Sequence, residues 1–170
     1  QRNGMTMAFP QGLTGYMLVL YKNGGELYRN NGEKSMLDTD TALESFREYT
    51  DLFTLWQLPM SYSFENRFRT GEMPCGIMDY STYNTLVVYA PEINGQWDFV
   101  PVPGKEKGST ISVGTGTNIM ILSGCKNIQA AWKFLKWWTD TDAQSIFGIE
   151  MESTLGTAAK QPTANIDALM

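Results

Sequence analysis

Phe68–Leu86, FRTGEMPCGIMDYSTYNTL, is the stretch whose reading decides the fold. A polar turn around Gly71 runs into Met73–Met78, apolar or small throughout, and that composition predicts a short strand buried on both faces. The strand stops at Asp79, Tyr80 and Ser81, where Ser81 or Thr82 can cap a helix running through Asn84 and Leu86. In an open α/β sheet, ligands gather where strands end and helix N-termini open beside them. Asp79–Asn84 therefore reads as a binding edge.

Toward the N-terminus, Met5–Phe9 reads as a strand closed by Pro10, and Gln11 and Gly12 lead into a helix. Leu13, Tyr16, Met17 and Leu20 give that helix its apolar face, and Asn23-Gly24-Gly25 supplies a left-handed stop. Glu26–Arg29 followed by Asn30-Asn31-Gly32 reads as a strand and a tight turn. From about Thr39 to Trp56 the residues Ala42, Phe46, Tyr49, Phe53 and Trp56 recur on one helical face, a spacing that favours core packing over a ligand platform. Asp38 or Thr39 can cap this helix, Thr41–Glu44 also spells a capping box, and Pro59 follows its end. Ser61–Phe68 reads as a loop and a short helix.

Toward the C-terminus, Trp97–Pro103 reads as a strand that its prolines confine to an edge or a crossing segment, and Gly104–Ser109 is the best candidate boundary. Ile111–Val113 and Ile119–Leu122 read as strands around Gly114-Thr115-Gly116-Thr117. A dinucleotide fingerprint fails there, because its sixth position is Ile119 and no helix opens. Asn127 can cap a helix carrying Ile128, Ala131, Trp132, Leu135 and Trp138, with Lys133 and Lys136 toward solvent. Asp140 restarts a helix through Gln144 and Phe147, with Gly148 as its expected stop. The remainder, Glu150–Met170, has loop composition, and Asn165 can cap a last turn.

Bulk properties remove several function classes. With 13 Lys and Arg against 18 Asp and Glu, and no basic cluster, the chain has no electrostatic footprint for nucleic acid. The absence of histidine removes Ser-His-Asp and Cys-His catalysis and His-ligated zinc from within the chain. Cys75 and Cys125 lack CxxC or metal-ligand spacing, and the place of Cys75 inside the apolar strand favours a buried free thiol over the alternative of a disulfide between them. No apolar run approaches the length of a membrane span, and the N-terminus lacks the pattern of a signal peptide. No metal or cofactor is expected.

The order of elements resembles the family 1 extracellular solute-binding proteins of ABC importers, the group that includes the maltose-binding type. The resemblance rests on the helix ending at Gly24-Gly25 before a strand and an NG turn, and on Phe68–Glu72 before an apolar strand and the helix opening at Tyr80-Ser81. It rests also on Phe99–Gly104, FVPVPG, followed by Asn118–Leu122, the helix AAWKFLKWWT and Gln144. It spans roughly Met5–Gly148. The implied fold is α/β, a periplasmic-binding-protein-like lobe with a mixed sheet flanked by helices, incomplete relative to a two-lobe parent. Residues 1–102 then correspond to part of the second lobe, 103–150 to a hinge crossing and a first-lobe segment, and 151–170 to a return toward the second lobe.

The resemblance implies a non-enzymatic binding component that closes over a small molecule and delivers it to ABC permease subunits, outside the cell membrane or in the periplasm. A lipid anchor on the parent would be its membrane link, and a lone lobe would be prone to self-association. Sugars offer hydroxyl rims and weakly apolar C–H faces, so a sugar site combines flat aromatic rings with planar polar groups. Asp79, Tyr80, Tyr83 and Asn84 supply both, and Tyr80 matches the aromatic ring that maltose-type proteins place at this junction. Gln11 and Thr14 face the same edge on this lobe assignment. The alternative reading makes Tyr80 and Tyr83 packing residues, Asp79 a cap and Gln11 and Thr14 simple helix-start residues. Thr115, Thr117, Thr163 and Asn165 read as turn residues rather than ligands, and Trp97 as either an exposed stacker or a core anchor. Two other functions stay open: a glycan hydrolase using Glu65 with Glu72 or Asp79, and a surface interaction domain derived from a binding protein.

Overall fold

The structure, a computed structural model, describes residues 6–114, 116–159 and 162–169; Thr115 and the Lys160 and Gln161 of the tail lie outside them. It is an α/β chain that divides into two compact units, Gln1–Asp79 with Glu92–Gly114, and Tyr80–Pro91 with Thr115–Met170.

The first unit is built on two packed helices. Strand β1 (Met7–Ala8) leads into helix α1 (Gly12–Lys22), which packs on helix α2 (Asp40–Thr54). Thr39 caps α2, its hydroxyl accepting from the Ala42 N–H at 3.3 Å. Helix α1 ends because Gly24 adopts a left-handed φ of 75°, which lets the Gly25 N–H reach the Leu20 carbonyl at 2.9 Å. Tyr16, Leu20 and Ala42 form the buried centre, with Tyr21, Leu27 and Tyr49 packed around it. The Tyr16 hydroxyl donates to the Ala42 carbonyl at 3.2 Å, and burial pushes its phenol pKa up.

Gly15 sets how closely these helices approach. A Cβ there would lie 1.9 Å from the Pro10 carbonyl oxygen and 2.8 Å from Tyr49 Cε2. A helical glycine costs about 1 kcal/mol relative to alanine, and here the close contact offsets it. The buried residues of α1 are Gly15, Tyr16, Leu18, Val19 and Leu20, whereas Leu13 is exposed. The single expected stripe is too narrow because α1 packs on α2 and also meets the strand at Thr110–Ile111. On α2, Tyr49 meets the rings of Phe9, Tyr16 and Phe53. The far ends of the expected aromatic face behave differently. Phe46 touches Tyr16 edge-on but is half exposed, and Trp56, beyond the last helical residue, is exposed.

Strands β2 (Tyr28–Arg29) and β3 (Lys34–Ser35) form a hairpin across the expected turn at Asn30, Asn31 and Gly32, all at positive φ. Helix α3 (Phe64–Arg69) precedes strand β4 (Cys75–Gly76), which pairs parallel with β1 in the register Met7 to Cys75 and Ala8 to Gly76. Gly76 is required at this pairing, since a Cβ would sit 2.7 Å from both Ala8 Cβ and Phe64 Cε2. Met73 is fully buried, but Cys75 and Gly76 are exposed. This corrects the expectation of a strand buried on both faces and of a buried Cys75 thiol. Among the described residues this sheet has two strands, and what packs close to β4 is β1 and Phe64, leaving part of it open to solvent. Cys75 and Cys125 are both free thiols.

In the second unit, helix α4 (Tyr80–Tyr89) packs against a tight turn at Thr157–Ala159. Ser81 and Thr82 lie inside its first turn rather than capping it. Back in the first unit, strands β5 (Val102–Pro103) and β6 (Thr110–Ile111) pair antiparallel, with Gly104–Ser109 closing the hairpin through a Gly104 N–H to Ser109 carbonyl bond of 2.8 Å. Ile119–Leu122 forms no strand: no ladder partner meets it among the described residues, and Ile119, Met120 and Leu122 are exposed.

Helix α5 (Ile128–Trp138) starts as expected, the Asn127 carboxamide oxygen accepting from the Ala130 N–H at 3.1 Å. Asp140 likewise caps helix α6 (Thr141–Leu155). That helix runs through Gly148 and stops at Gly156, whose φ is 85°. The tail is less loose than its composition predicts. Asn165 starts the short helix α7 (Ile166–Leu169), accepting from the Ala168 N–H at 3.2 Å and donating its amide to the Thr139 carbonyl at 2.9 Å. Gln144 donates to the Trp138 carbonyl and accepts from Thr163 at 2.7 Å.

Replacing Leu20 by alanine removes a fully buried side chain from the α1–α2 centre. Urea unfolding should show a loss of about 2–5 kcal/mol, and a loss below about 1 kcal/mol would mean this core does not hold the unit together. Glu48 gives a pH test. Burial pushes its pKa up, but hydrogen bonds from Asn23 and Lys22 and the charges of Lys22 and Lys105 outweigh that and hold it below the ordinary 4.5. A depressed folded-state pKa contributes stability above about pH 4.5 that is lost as pH falls through the folded value. The stability gap between the parent and Glu48→Gln should therefore be open at pH 7 and close in acid; a gap constant with pH would refute the linkage.

Candidate functional site

The parallel pairing of β1 and β4 puts their carboxyl ends on one edge of the first unit, and the Ile77 N–H extends the ladder to the Ala8 carbonyl at 2.9 Å. From that edge the chain leaves at Gln11 after β1 and at Asp79 after β4. Gln11 and Asp79 are exposed, and Thr14, in the first turn of α1, is partly exposed. Gln11 takes the N-cap position with extended backbone, but its side chain does not cap the helix; its amide donates instead to the Met60 carbonyl. The Tyr62 hydroxyl donates to the Phe9 carbonyl at 3.1 Å, and burial raises its pKa. Tyr62 thus adds an aromatic group to this edge that periodicity did not single out, because it sits in the irregular segment before α3.

The second unit begins at the next residue. Tyr80 and Tyr83, one helical turn apart in α4, stack with ring centroids 5.7 Å apart and planes 16° from parallel. They remain 46% and 36% exposed. Asn84 is 3% exposed, and Thr82 is also buried. The six expected residues thus fall into two groups, Gln11, Thr14 and Asp79 in the first unit and Tyr80, Tyr83 and Asn84 in the second, joined covalently at the Asp79–Tyr80 peptide.

Trp97 resolves to a core anchor. It is partly buried and meets Phe68 edge-on at 6.0 Å between centroids. Thr163 and Asn165 bond within the tail and to the α5–α6 junction, as structural residues do, and Thr115 lies outside the described residues. Among the described residues, no group of three acidic or cysteine side chains is placed to hold a metal ion.

Comparison with protein families matches residues 4–145 to the bacterial extracellular solute-binding proteins, and the chain belongs to that family. No curated protein and no solved structure matched it. The family works on the extracellular or periplasmic side of the membrane, is generally non-enzymatic, and takes a small-molecule ligand with ABC permease partners. Among the described residues no helix is long and apolar enough to cross a membrane.

Burial separates the roles of two of these residues. Asn84→Ala removes a buried amide and leaves its surroundings short of a hydrogen-bond partner, and should lower stability by about 1–3 kcal/mol. Tyr80→Ala, at an exposed stack, should cost no more than about 1.5 kcal/mol. Chemical denaturation of both variants checks the order, and a larger loss for Tyr80→Ala would reassign that ring to the core.

Proposed function

We propose that this chain binds a carbohydrate, an oligosaccharide for preference, and passes it to a membrane permease. The observation that carries the reading is the Tyr80–Tyr83 stack, two flat and partly exposed rings at the start of α4. A pyranose ring presents C–H groups that pack on such a face, while its hydroxyl rim needs bidentate acceptors and donors. Asp79 supplies a carboxylate at the head of the same helix, and Gln11 and Thr14 bring polar groups to the strand edge that Asp79 leaves. Asn84, being buried, would hold Tyr80 and Tyr83 in place more than touch solute.

In the same reading, residues 1–102 belong to one lobe of a hinged binding protein, 103–150 to a crossing and a segment of the other lobe, and 151–170 to a return. Closure of the lobes over the sugar would then be what the permease recognises, since a ligand shifts such an equilibrium by its differential affinity for the closed form.

The test is a titration of the protein, in its full reading frame, with panels of oligosaccharides, peptides and small anions, followed by Trp fluorescence and melting temperature. An oligosaccharide should raise the melting temperature, and Tyr80→Ala should weaken its binding roughly tenfold, the equivalent of about 1.4 kcal/mol. A response confined to peptides or anions would defeat the carbohydrate assignment.

A further inference from the structure

Helix α4, which carries Tyr80 and Tyr83, has one main partner among the described elements of its unit, the tight turn at Thr157–Ala159. Thr82, Asn84 and Leu86 of the helix are buried, and the turn also packs against α6. A segment from much later in the chain therefore meets the helix that holds the aromatic pair. Its own place is fixed from both sides. Upstream, the Gly156 N–H donates to the Glu152 carbonyl at 2.9 Å, and the Ala159 N–H donates to the Gly156 carbonyl at 3.0 Å. Downstream, the Thr163 hydroxyl donates to Gln144 at 2.7 Å and the Asn165 amide donates to the Thr139 carbonyl at 2.9 Å, which ties the tail back to the α5–α6 junction.

The joint between α6 and the turn is Gly156, with φ 85° and ψ 173°. Positive φ combined with a ψ near 180° is open to glycine and to essentially no other residue, because a Cβ there collides with its own backbone. A Cβ on Gly156 would meet no neighbouring atom within 4 Å. Space around the residue does not call for glycine; the direction of the backbone does. Gly148, inside the same helix, has equally open surroundings without the unusual backbone.

We infer that Gly156 is a positioning residue for the tyrosine pair. By turning the chain out of α6 in a direction that only glycine permits, it seats Thr157–Ala159 on α4 and holds the stacked rings where a sugar face packs on them. Gly156 itself touches no solute. The inference rests on the carbohydrate reading for the ligand, whereas its effect on the rings needs no ligand. A side chain at 156 strains the seated turn and lowers the fraction of molecules in which α4 is held, and apparent affinity falls with that fraction.

The test compares Gly156→Ala with Gly148→Ala in the protein in its full reading frame, labelled on its tyrosine rings for NMR, with Tyr80→Phe and Tyr83→Phe to assign the two signals. Binding is titrated with maltotriose, cellotriose, mannotriose and xylotriose. In Gly156→Ala the Tyr80 and Tyr83 signals should shift or broaden, while those of Tyr16 and Tyr49 in the first-unit core stay in place. The Kd for whichever of these sugars binds the parent should rise roughly tenfold. Gly148→Ala should leave signals and affinity unchanged. Unmoved Tyr80 and Tyr83 signals, an equal response to Gly148→Ala, first-unit signals that change along with them, or shifted signals with undiminished affinity would each overturn the inference. Shifted rings in a protein whose parent binds no oligosaccharide would instead defeat the carbohydrate reading and keep Gly156 as the residue that positions the pair.

Discussion

The close approach of α1 and α2 at Gly15 is the constraint on which the first unit depends. Without a side chain at that position, the Pro10 carbonyl and the Tyr49 ring can press against α1, and Tyr16, Leu20 and Ala42 close into one centre. That contact also fixes where α1 begins. Because Pro10 is held against the helix, the end of β1 and the start of α1 are tied to the same core, and β4 pairs with β1 in a register that needs Gly76. The edge where β1 and β4 end is therefore positioned by glycines that carry no chemistry of their own.

Local interactions were the legible part of this fold. Thr39, Asn127 and Asp140 each bond a backbone N–H within three residues, so the helix starts they mark follow from a few neighbouring letters. The same holds for Asn30-Asn31-Gly32, whose positive φ angles suit those residue types. What failed were readings that depend on distant partners. Among the described residues, Ile119–Leu122 has the composition of a strand but meets no ladder, and Met73–Met78 is apolar yet exposes Cys75 in a sheet of two strands. Gly148 shows a different limit: glycine weakens a helix by about 1 kcal/mol without ending it, and α6 ends at Gly156, where the backbone is left-handed.

The candidate site divides along the same line. Tyr80 and Tyr83 are three residues apart, so their common helical face could be read from the sequence, and they stack. The engagement of Gln11 with the Met60 carbonyl could not, because it joins residues 49 apart. Nor could the contrast between exposed tyrosines and buried Asn84, which share one helix turn but differ in what packs over them. Family membership, by contrast, followed from the order of elements, which survives the loss or shortening of individual strands.

The chain's division into units has a consequence for its biosynthesis. Helix α4 is encoded inside the first unit's sequence, yet it packs against the turn at Thr157–Ala159. As the polypeptide emerges from the ribosome, the first unit can be completed once β6 is made, while α4 waits for a partner near the far end of the chain. At ordinary elongation rates that interval lasts on the order of several seconds. During it the tyrosines of α4 belong to a nascent segment without its eventual packing, a natural moment for a chaperone to bind.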